Sequence, residues 1–143
     1  MDTKQLSWRL ALCAAAGVAG LMLTACADTG SEEVSAAPTW SEMTASGGTL
    51  SACQTCHGDP ASSAQGGLSL AADQYTAVLA ATTSVCTGAS KVVDVGHHAS
   101  SVLYLVAVGD SSCSGVPAAD LPMPGGPAAA PQISSWIDSG APQ

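Results

Sequence analysis

Five consecutive residues, Cys53-Gln54-Thr55-Cys56-His57, place two thiols and one imidazole at close spacing. In an exported protein, the pattern C-x-x-C-H is the attachment signature of a c-type haem. The thiols of Cys53 and Cys56 would form thioethers with the two vinyl groups of one haem, and His57 would bind its iron as the proximal ligand. The spacing therefore predicts a single covalent haem c and the one-electron chemistry that its iron performs.

Met123 is the predicted ligand on the opposite side of the iron. A thioether is soft, suits haem iron and raises the reduction potential relative to a second histidine. The prolines on either side of Met123 would hold its loop extended, and Gly125-Gly126 would let the backbone approach the porphyrin closely. Two alternatives stay open: Met123 could fill a gap in the core, or one of the neighbours His97 and His98 could bind the iron instead.

The cysteine pair also has interpretations that involve no haem. Thioredoxin-like redox chemistry would need a βαβ context, which the sequence does not predict. A zinc site would need two further ligands at suitable spacing, and the remaining cysteines and histidines do not form a second close cysteine pair. A plain Cys53–Cys56 disulfide beside an uninvolved histidine is the main alternative.

Helices are predicted to position these residues. Thr39 and Glu42 fit a capping box, which predicts the start of a first helix. Gly47-Gly48 either ends this helix or allows another helix to cross it closely. Apolar residues at helical spacing predict three further helices, at Ala71–Thr82, Ser101–Val108 and Pro131–Gly140. Cys86 is assigned to a turn-rich stretch between helices.

Three strings in this chain resemble the class I cytochrome c family: Cys53-Gln54-Thr55-Cys56-His57-Gly58, Leu121-Pro122-Met123-Pro124 and Trp136-Ile137-Asp138-Ser139-Gly140-Ala141. The last is similar to the ending common in bacterial haem-domain lipoproteins. The resemblance runs from about Thr39 to Ala141. It implies a small all-α, cytochrome c-like domain around a covalent haem, in which the N- and C-terminal helices cross near the haem. Gly47-Gly48 and Trp136 would suit that crossing.

The N-terminal residues predict export and lipid anchoring. Lys4 and Arg9 precede an apolar run, Leu10–Leu23, that is short for a membrane span and ends in small residues. A Leu-Thr-Ala-Cys string that ends at Cys26 resembles the lipobox of bacterial lipoproteins, whose cysteine is lipidated. The expected organisation is a lipoprotein signal peptide at 1–25, a flexible tether at 26–38 and the haem domain at 39–143.

Lipidation of Cys26 would anchor the protein to the bacterial inner or outer membrane, with the domain in the periplasm or at the cell surface. Ala27 follows directly and Asp28 comes second, which leaves the choice of membrane open. The alternative is an ordinary signal peptide in which Cys26 is incidental.

Export to an oxidising compartment also sorts the cysteines of the folded domain. With the motif cysteines assigned to haem, Cys86 and Cys113 remain as a pair that can form a disulfide, although four cysteines formally allow three pairings. A bridge that closes a loop of this length would stabilise the fold by roughly 3 kcal/mol. Both the haem and the bridge would support a core that contains no Phe and depends on Ala, Val and Leu.

Charge and motif content exclude other classes of function. From Cys26 onward, Lys91 is the sole fixed positive charge against ten carboxylates, which gives a formal charge of −9. Nucleic-acid binding is excluded, because phosphate contacts need clustered Lys and Arg. A basic redox protein is a compatible partner. The acids are not paired for acid–base catalysis, and no catalytic triad or phosphate-loop pattern occurs.

These features predict a membrane-tethered, single-haem c-type cytochrome, an electron-transfer protein and not an enzyme, with iron ligated by His57 and Met123. The alternative is a cofactor-free, disulfide-stapled structural or binding lipoprotein of the same fold. A catalytic haem protein with Met123 unligated is a third interpretation. A filled sixth position argues against the third, because the iron would have no open site for oxygen or peroxide.

Overall fold

A computed structural model of the chain describes residues 36–58 and 64–143. These residues belong to the compact unit Ser35–Gln143. The predicted signal peptide, the lipidation site Cys26 and most of the predicted tether lie outside the described residues. In the two described ranges, no helix is long and apolar enough to cross a membrane.

Helices and one small sheet make up the regular structure of the described residues. The helices are α1 (Trp40–Thr44), α2 (Gln54–His57), α3 (Tyr75–Ala80), α4 (Val102–Val108) and α5 (Gly126–Asp138). The strands are β1 (Thr82–Cys86) and β2 (Ala89–Lys91), which pair antiparallel. Short 3₁₀ turns lie between them at Gln65–Gly67, Ala72–Gln74, His98–Ser100 and Ala118–Asp120.

The prediction of an all-α, cytochrome c-like fold is wrong, because the described chain is a mixed domain of helices and a β-hairpin. The hairpin occupies residues for which the sequence predicts a helix end and a turn-rich stretch. Thr82, Thr83 and Val85 are β-branched and favour an extended chain. Gly88 supplies the positive φ of +84° in the turn. α3 therefore ends at Ala80 and the strand begins at Thr82.

The capping box predicted at the start of α1 is confirmed. The Thr39 hydroxyl accepts a hydrogen bond from the backbone N–H of Glu42, and the Glu42 carboxylate accepts one from the backbone N–H of Thr39. α1 ends at Thr44, ahead of the two glycines. A Cβ on Gly48 would lie 2.4 Å from the Glu42 carbonyl oxygen, so this glycine is needed by the turn that follows α1.

α5 begins five residues earlier than predicted. It starts at Gly126, and Pro131 lies inside the helix instead of at its start. A proline inside a helix removes one backbone hydrogen bond. Burial along one face of α5 offsets that loss. The buried residues recur at helical spacing and are Gly126, Ala129, Ala130, Ile133, Trp136 and Ile137.

The larger hydrophobic core is built around two tryptophans. Trp40 of α1 and Trp136 of α5 are both buried, and their ring centroids lie 5.5 Å apart. The ring of Tyr75 lies 6.2 Å from that of Trp40. Aliphatic side chains and Met43 surround these rings, among them Leu50, Leu70, Val78, Val93, Ile133 and Ile137. The two indoles supply much of the bulk that a Phe-free composition otherwise lacks.

The last residues of the chain fold back over this aromatic cluster. The Pro142 carbonyl accepts hydrogen bonds from the backbone N–H of Trp40 (2.9 Å) and the indole N–H of Trp136 (2.8 Å). The Tyr75 hydroxyl donates to the Ala141 carbonyl at 2.7 Å. These bonds tie α1, α3 and α5 to the C-terminal segment.

A smaller core forms where α4 meets the hairpin. Cys86 at the end of β1 forms a disulfide with Cys113, which lies 27 residues later in the loop after α4. Val102 and Leu105 of α4 pack against this bridge. The disulfide therefore joins the hairpin to the segment that leads toward the Met123 loop.

Candidate functional site

The motif lies on α2, a single helical turn. Cys53 is the N-cap residue, and its carbonyl accepts hydrogen bonds from the backbone N–H groups of Cys56 (3.2 Å) and His57 (3.0 Å). Residues three apart on a helix lie on the same face. The turn therefore directs both motif thiols to one side of α2.

The two thiols differ in exposure. Cys53 is half-buried against the larger core, and this burial raises the pKa of its thiol. Cys56 is exposed. Both are free thiols in the described part of the chain, whereas Cys86 and Cys113 are joined in a disulfide. Because only the thiolate is nucleophilic, Cys53 is harder to activate by ionisation than an ordinary cysteine.

One ring nitrogen of His57 is held by backbone. Its Nδ1 lies 2.9 Å from the carbonyl oxygen of Leu68. A carbonyl oxygen only accepts, so this contact requires the proton to be on Nδ1. The lone pair of the neutral ring is then on Nε2, which is the nitrogen that a metal would use. The backbone thus selects the tautomer that a proximal iron ligand needs.

Sequence reasoning missed the residues that hold His57 in place. The backbone N–H of Leu70 donates to the His57 carbonyl, and the Leu70 carbonyl accepts a hydrogen bond from the side-chain amide of Gln54 at 3.0 Å. Gln54 occupies a position that the C-x-x-C-H pattern leaves unspecified. Leu68 acts through a backbone carbonyl, which every residue supplies. Neither role leaves a signal in a single sequence.

The Met123 loop is fixed by backbone contacts with α4 and with the start of α5. The Met123 N–H donates to the Val106 carbonyl at 3.4 Å, and the Met123 carbonyl accepts from Gly126 at 2.8 Å. A Cβ on Gly109 would come within 3.1 Å of Pro122, so the end of α4 lies directly against the residue before Met123. The Met123 side chain is partly buried and is not among the residues of the two described cores.

The same loop approaches the segment that leads into the motif. A Cβ on Gly125 would come within 2.9 Å of the Ala52 Cβ. The Thr49 hydroxyl, three residues earlier, donates a hydrogen bond to the side chain of Gln132 on α5. The structure therefore brings the loop of Met123 next to the residue that precedes Cys53.

His97 and His98 lie at the other end of α5. The Nδ1 of His98 is 2.7 Å from an Oδ of Asp138, the last residue of that helix, and the His98 backbone N–H donates to the second Oδ at 3.2 Å. α5 has 13 residues, so its two ends are about 20 Å apart at 1.5 Å per residue. Gly125 and Ala52 meet at the N-terminal end, away from both histidines.

The Asp138 carboxylate is stabilised in its ionised form. The backbone N–H of His98, together with its ring, holds the pKa of Asp138 below its usual range. The His98 ring also packs edge-on against Tyr104, with centroids 4.6 Å apart. These contacts, which we call the clasp between His98 and Asp138, hold the turn His98–Ser100 against the end of α5.

Other potential sites in the described residues do not coincide with the motif. Across residues 36–58 and 64–143, no group of three or more His, Cys, Asp and Glu is arranged to hold a metal ion. An open depression of about 700 Å³ lies beside the disulfide. The side chains that line it are mostly small and largely apolar, and they belong to residues 111, 113–118 and 121. The depression contains no residue of α2 and lies apart from the chemistry of the motif.

No protein-family model, no curated protein and no solved structure matches this chain. Its function is therefore inferred from the residues and the geometry of the site.

Proposed function

We propose that this protein is a single-haem c-type cytochrome that carries one electron at a time. The observation that carries the proposal is the arrangement on α2. Two free thiols share one side of a helical turn, and the next residue, His57, has its Nδ1 proton engaged by the Leu68 carbonyl. That tautomer leaves the Nε2 lone pair as the metal-binding position.

The residues present fit a covalently attached haem. Cys53 and Cys56 have the chemistry to form the two thioether links, and His57 has the chemistry of the proximal ligand. The haem, when bound, supplies an iron that accepts and releases a single electron. The chain's own contribution is to hold these three side chains on one short helix that packs against the larger core through Cys53.

Met123 is the proposed sixth ligand, in preference to His97 or His98. Support comes from the contact of Gly125 with Ala52, which puts the Met123 loop beside the motif. His98 is engaged with Asp138 at the opposite end of α5. A methionine ligand favours a higher reduction potential than a second histidine.

The proposed setting is outside the cytoplasm, with the domain anchored to a bacterial membrane through lipid on Cys26. The acidic sequence favours a basic redox protein as partner, because opposite charges speed encounter.

The decisive experiment is expression of the full chain with a haem-maturation system. We expect a sharp α-band in the reduced protein, haem that resists acid-acetone extraction, and a mass increase on the peptide with Cys53 and Cys56. Cys53→Ala with Cys56→Ala should abolish all three. A colourless protein whose motif cysteines form a disulfide would instead identify a cofactor-free, disulfide-stapled lipoprotein. Carbon monoxide binding by the untreated reduced protein would indicate an open sixth site and a catalytic haem.

A further inference from the structure

Gln54 forms the most extensive side-chain link within the motif. Its amide nitrogen donates one hydrogen bond to the Thr44 carbonyl at 3.1 Å and another to the Leu70 carbonyl at 3.0 Å. A glutamine amide has two N–H hydrogens, so both are used. One partly buried side chain therefore joins the end of α1, the start of α2 and the segment 68–70.

The segment 68–70 is also the element that holds His57. The Leu68 carbonyl accepts from His57 Nδ1, and the Leu70 N–H donates to the His57 carbonyl. With the bond from Gln54 to the Leu70 carbonyl, three hydrogen bonds connect α2 to this segment. The Gln54 bond lies two residues from the carbonyl that fixes the His57 ring.

We propose that Gln54 is a positioning residue for His57. By holding the Leu70 carbonyl, it keeps the Leu68 carbonyl opposite Nδ1 and so fixes the tautomer and the orientation of the imidazole. A hydrogen bond from Nδ1–H to an acceptor makes the ring a more basic ligand. A more basic proximal ligand favours ferric iron, so Gln54 lowers the reduction potential of the site.

Packing alone does not account for glutamine at this position. Leucine would fill a similar volume, but it would leave the Thr44 and Leu70 carbonyls without their amide donor. An unsatisfied buried carbonyl costs about 1–3 kcal/mol unless the backbone moves to find another partner. Movement of the Leu70 carbonyl would shift Leu68 with it.

The first test uses the haem-free full chain and does not depend on the proposed function. Nitrogen-15 NMR of the His57 ring distinguishes a proton on Nδ1 from a proton on Nε2. We expect the Nδ1–H tautomer in the parent protein and a gain of the Nε2–H tautomer in Gln54→Leu. Gln54→Lys, which keeps a donor of similar reach, should return the ring to the Nδ1–H form. Thr55→Val changes the exposed neighbour in the same motif and should leave the ring unchanged.

An unchanged tautomer in a folded Gln54→Leu protein would overturn the inference. If Gln54→Leu does not fold, Gln54→Asn replaces it, because the shorter amide keeps its donors but loses reach. A tautomer shift in Gln54→Asn supports the inference, and its absence overturns it.

The second test uses haem-loaded protein and rests on the proposed function. The reduction potential should shift upward in Gln54→Leu and stay at the parent value in Thr55→Val. If haem attaches to every variant but the potential does not shift, the inference about Gln54 fails and the proposed function stands. If no variant, including the parent, attaches haem, the proposed function fails and the NMR test alone decides the role of Gln54.

Discussion

Gly125 lies so close to Ala52 that a Cβ on Gly125 would come within 2.9 Å of the Ala52 Cβ. Gly125 also has a φ of +77°, a conformation that strains any residue with a side chain. We expect Gly125→Ala to push the Met123 loop away from the segment before Cys53 and to weaken the proposed bond of Met123 to iron. Loss of the weak sulfur-to-iron absorption band near the red edge of the spectrum would report this change.

The matched control for that variant is Gly88→Ala. Gly88 has a similar φ of +84°, and no heavy atom of the described residues lies within 4 Å of where its Cβ would be. It should cost about 1–2 kcal/mol of folding free energy through backbone strain and leave the sulfur-to-iron band intact. An unaltered band in Gly125→Ala would show that the contact with Ala52 does not position the ligand loop.

The choice of sixth ligand can be tested by comparing two single substitutions. Met123→Ala should abolish the sulfur-to-iron band, lower the reduction potential and allow carbon monoxide to bind. His98→Ala should leave the band in place, because His98 contacts Asp138 at the far end of α5. Survival of the band in Met123→Ala would exclude Met123 as the ligand.

Local structure could be predicted from the sequence where a residue type has one strong structural preference. The capping box of Thr39 and Glu42 is an example, because its two hydrogen bonds lie within four consecutive residues. The pairing of Cys86 with Cys113 also followed from which cysteines remained after the motif was assigned.

The features that the sequence did not predict have a common physical cause, which is tertiary packing. Pro131 is a preferred helix start, yet α5 extends back to Gly126 because the earlier turn buries Ala129 and Ala130. The hairpin at Thr82–Lys91 was not predicted, because only Ala81 separates its first strand from α3 and no Gly or Pro marks the end of the helix. At the site, the side chains of Gln54 and His57 are held by backbone carbonyls 10 to 16 residues away in sequence, which no local pattern encodes.

The packing of Trp40 on Trp136 should dominate the stability of the domain. Both indoles are buried, and Trp40 also donates to the Ala72 carbonyl at 3.0 Å. We expect Trp40→Ala to lower the free energy of unfolding by about 3–5 kcal/mol, measured by denaturant titration. Val95→Ala is the control, because Val95 is 44% exposed and its truncation should change stability by less than about 0.5 kcal/mol. Similar losses in the two variants would contradict this account of the core.

Removal of the disulfide should destabilise the fold without changing the proposed haem site. The bridge closes a loop of 27 residues in sequence separation, and the double variant Cys86→Ser with Cys113→Ser should lose about 3 kcal/mol. Haem content and the sulfur-to-iron band should be retained when the variant is kept in stabilising conditions. Loss of haem from a folded double variant would mean that the bridge also positions the site.

Acid should loosen the clasp between His98 and Asp138. The backbone N–H and ring of His98 hold the pKa of Asp138 below the ordinary aspartate value, so the folded state binds this proton less readily than the unfolded state. The stabilisation is therefore complete above the ordinary pKa and is lost as the pH falls through the lowered one. Asp138→Asn keeps an oxygen that can accept from the His98 N–H but removes the ionisation, so the unfolding free energy should depend less steeply on pH in the acid range than in the parent. The two curves, measured by denaturant titration from neutral pH downward, should converge as Asp138 becomes protonated; parallel curves throughout would show that the carboxylate charge contributes nothing to the clasp.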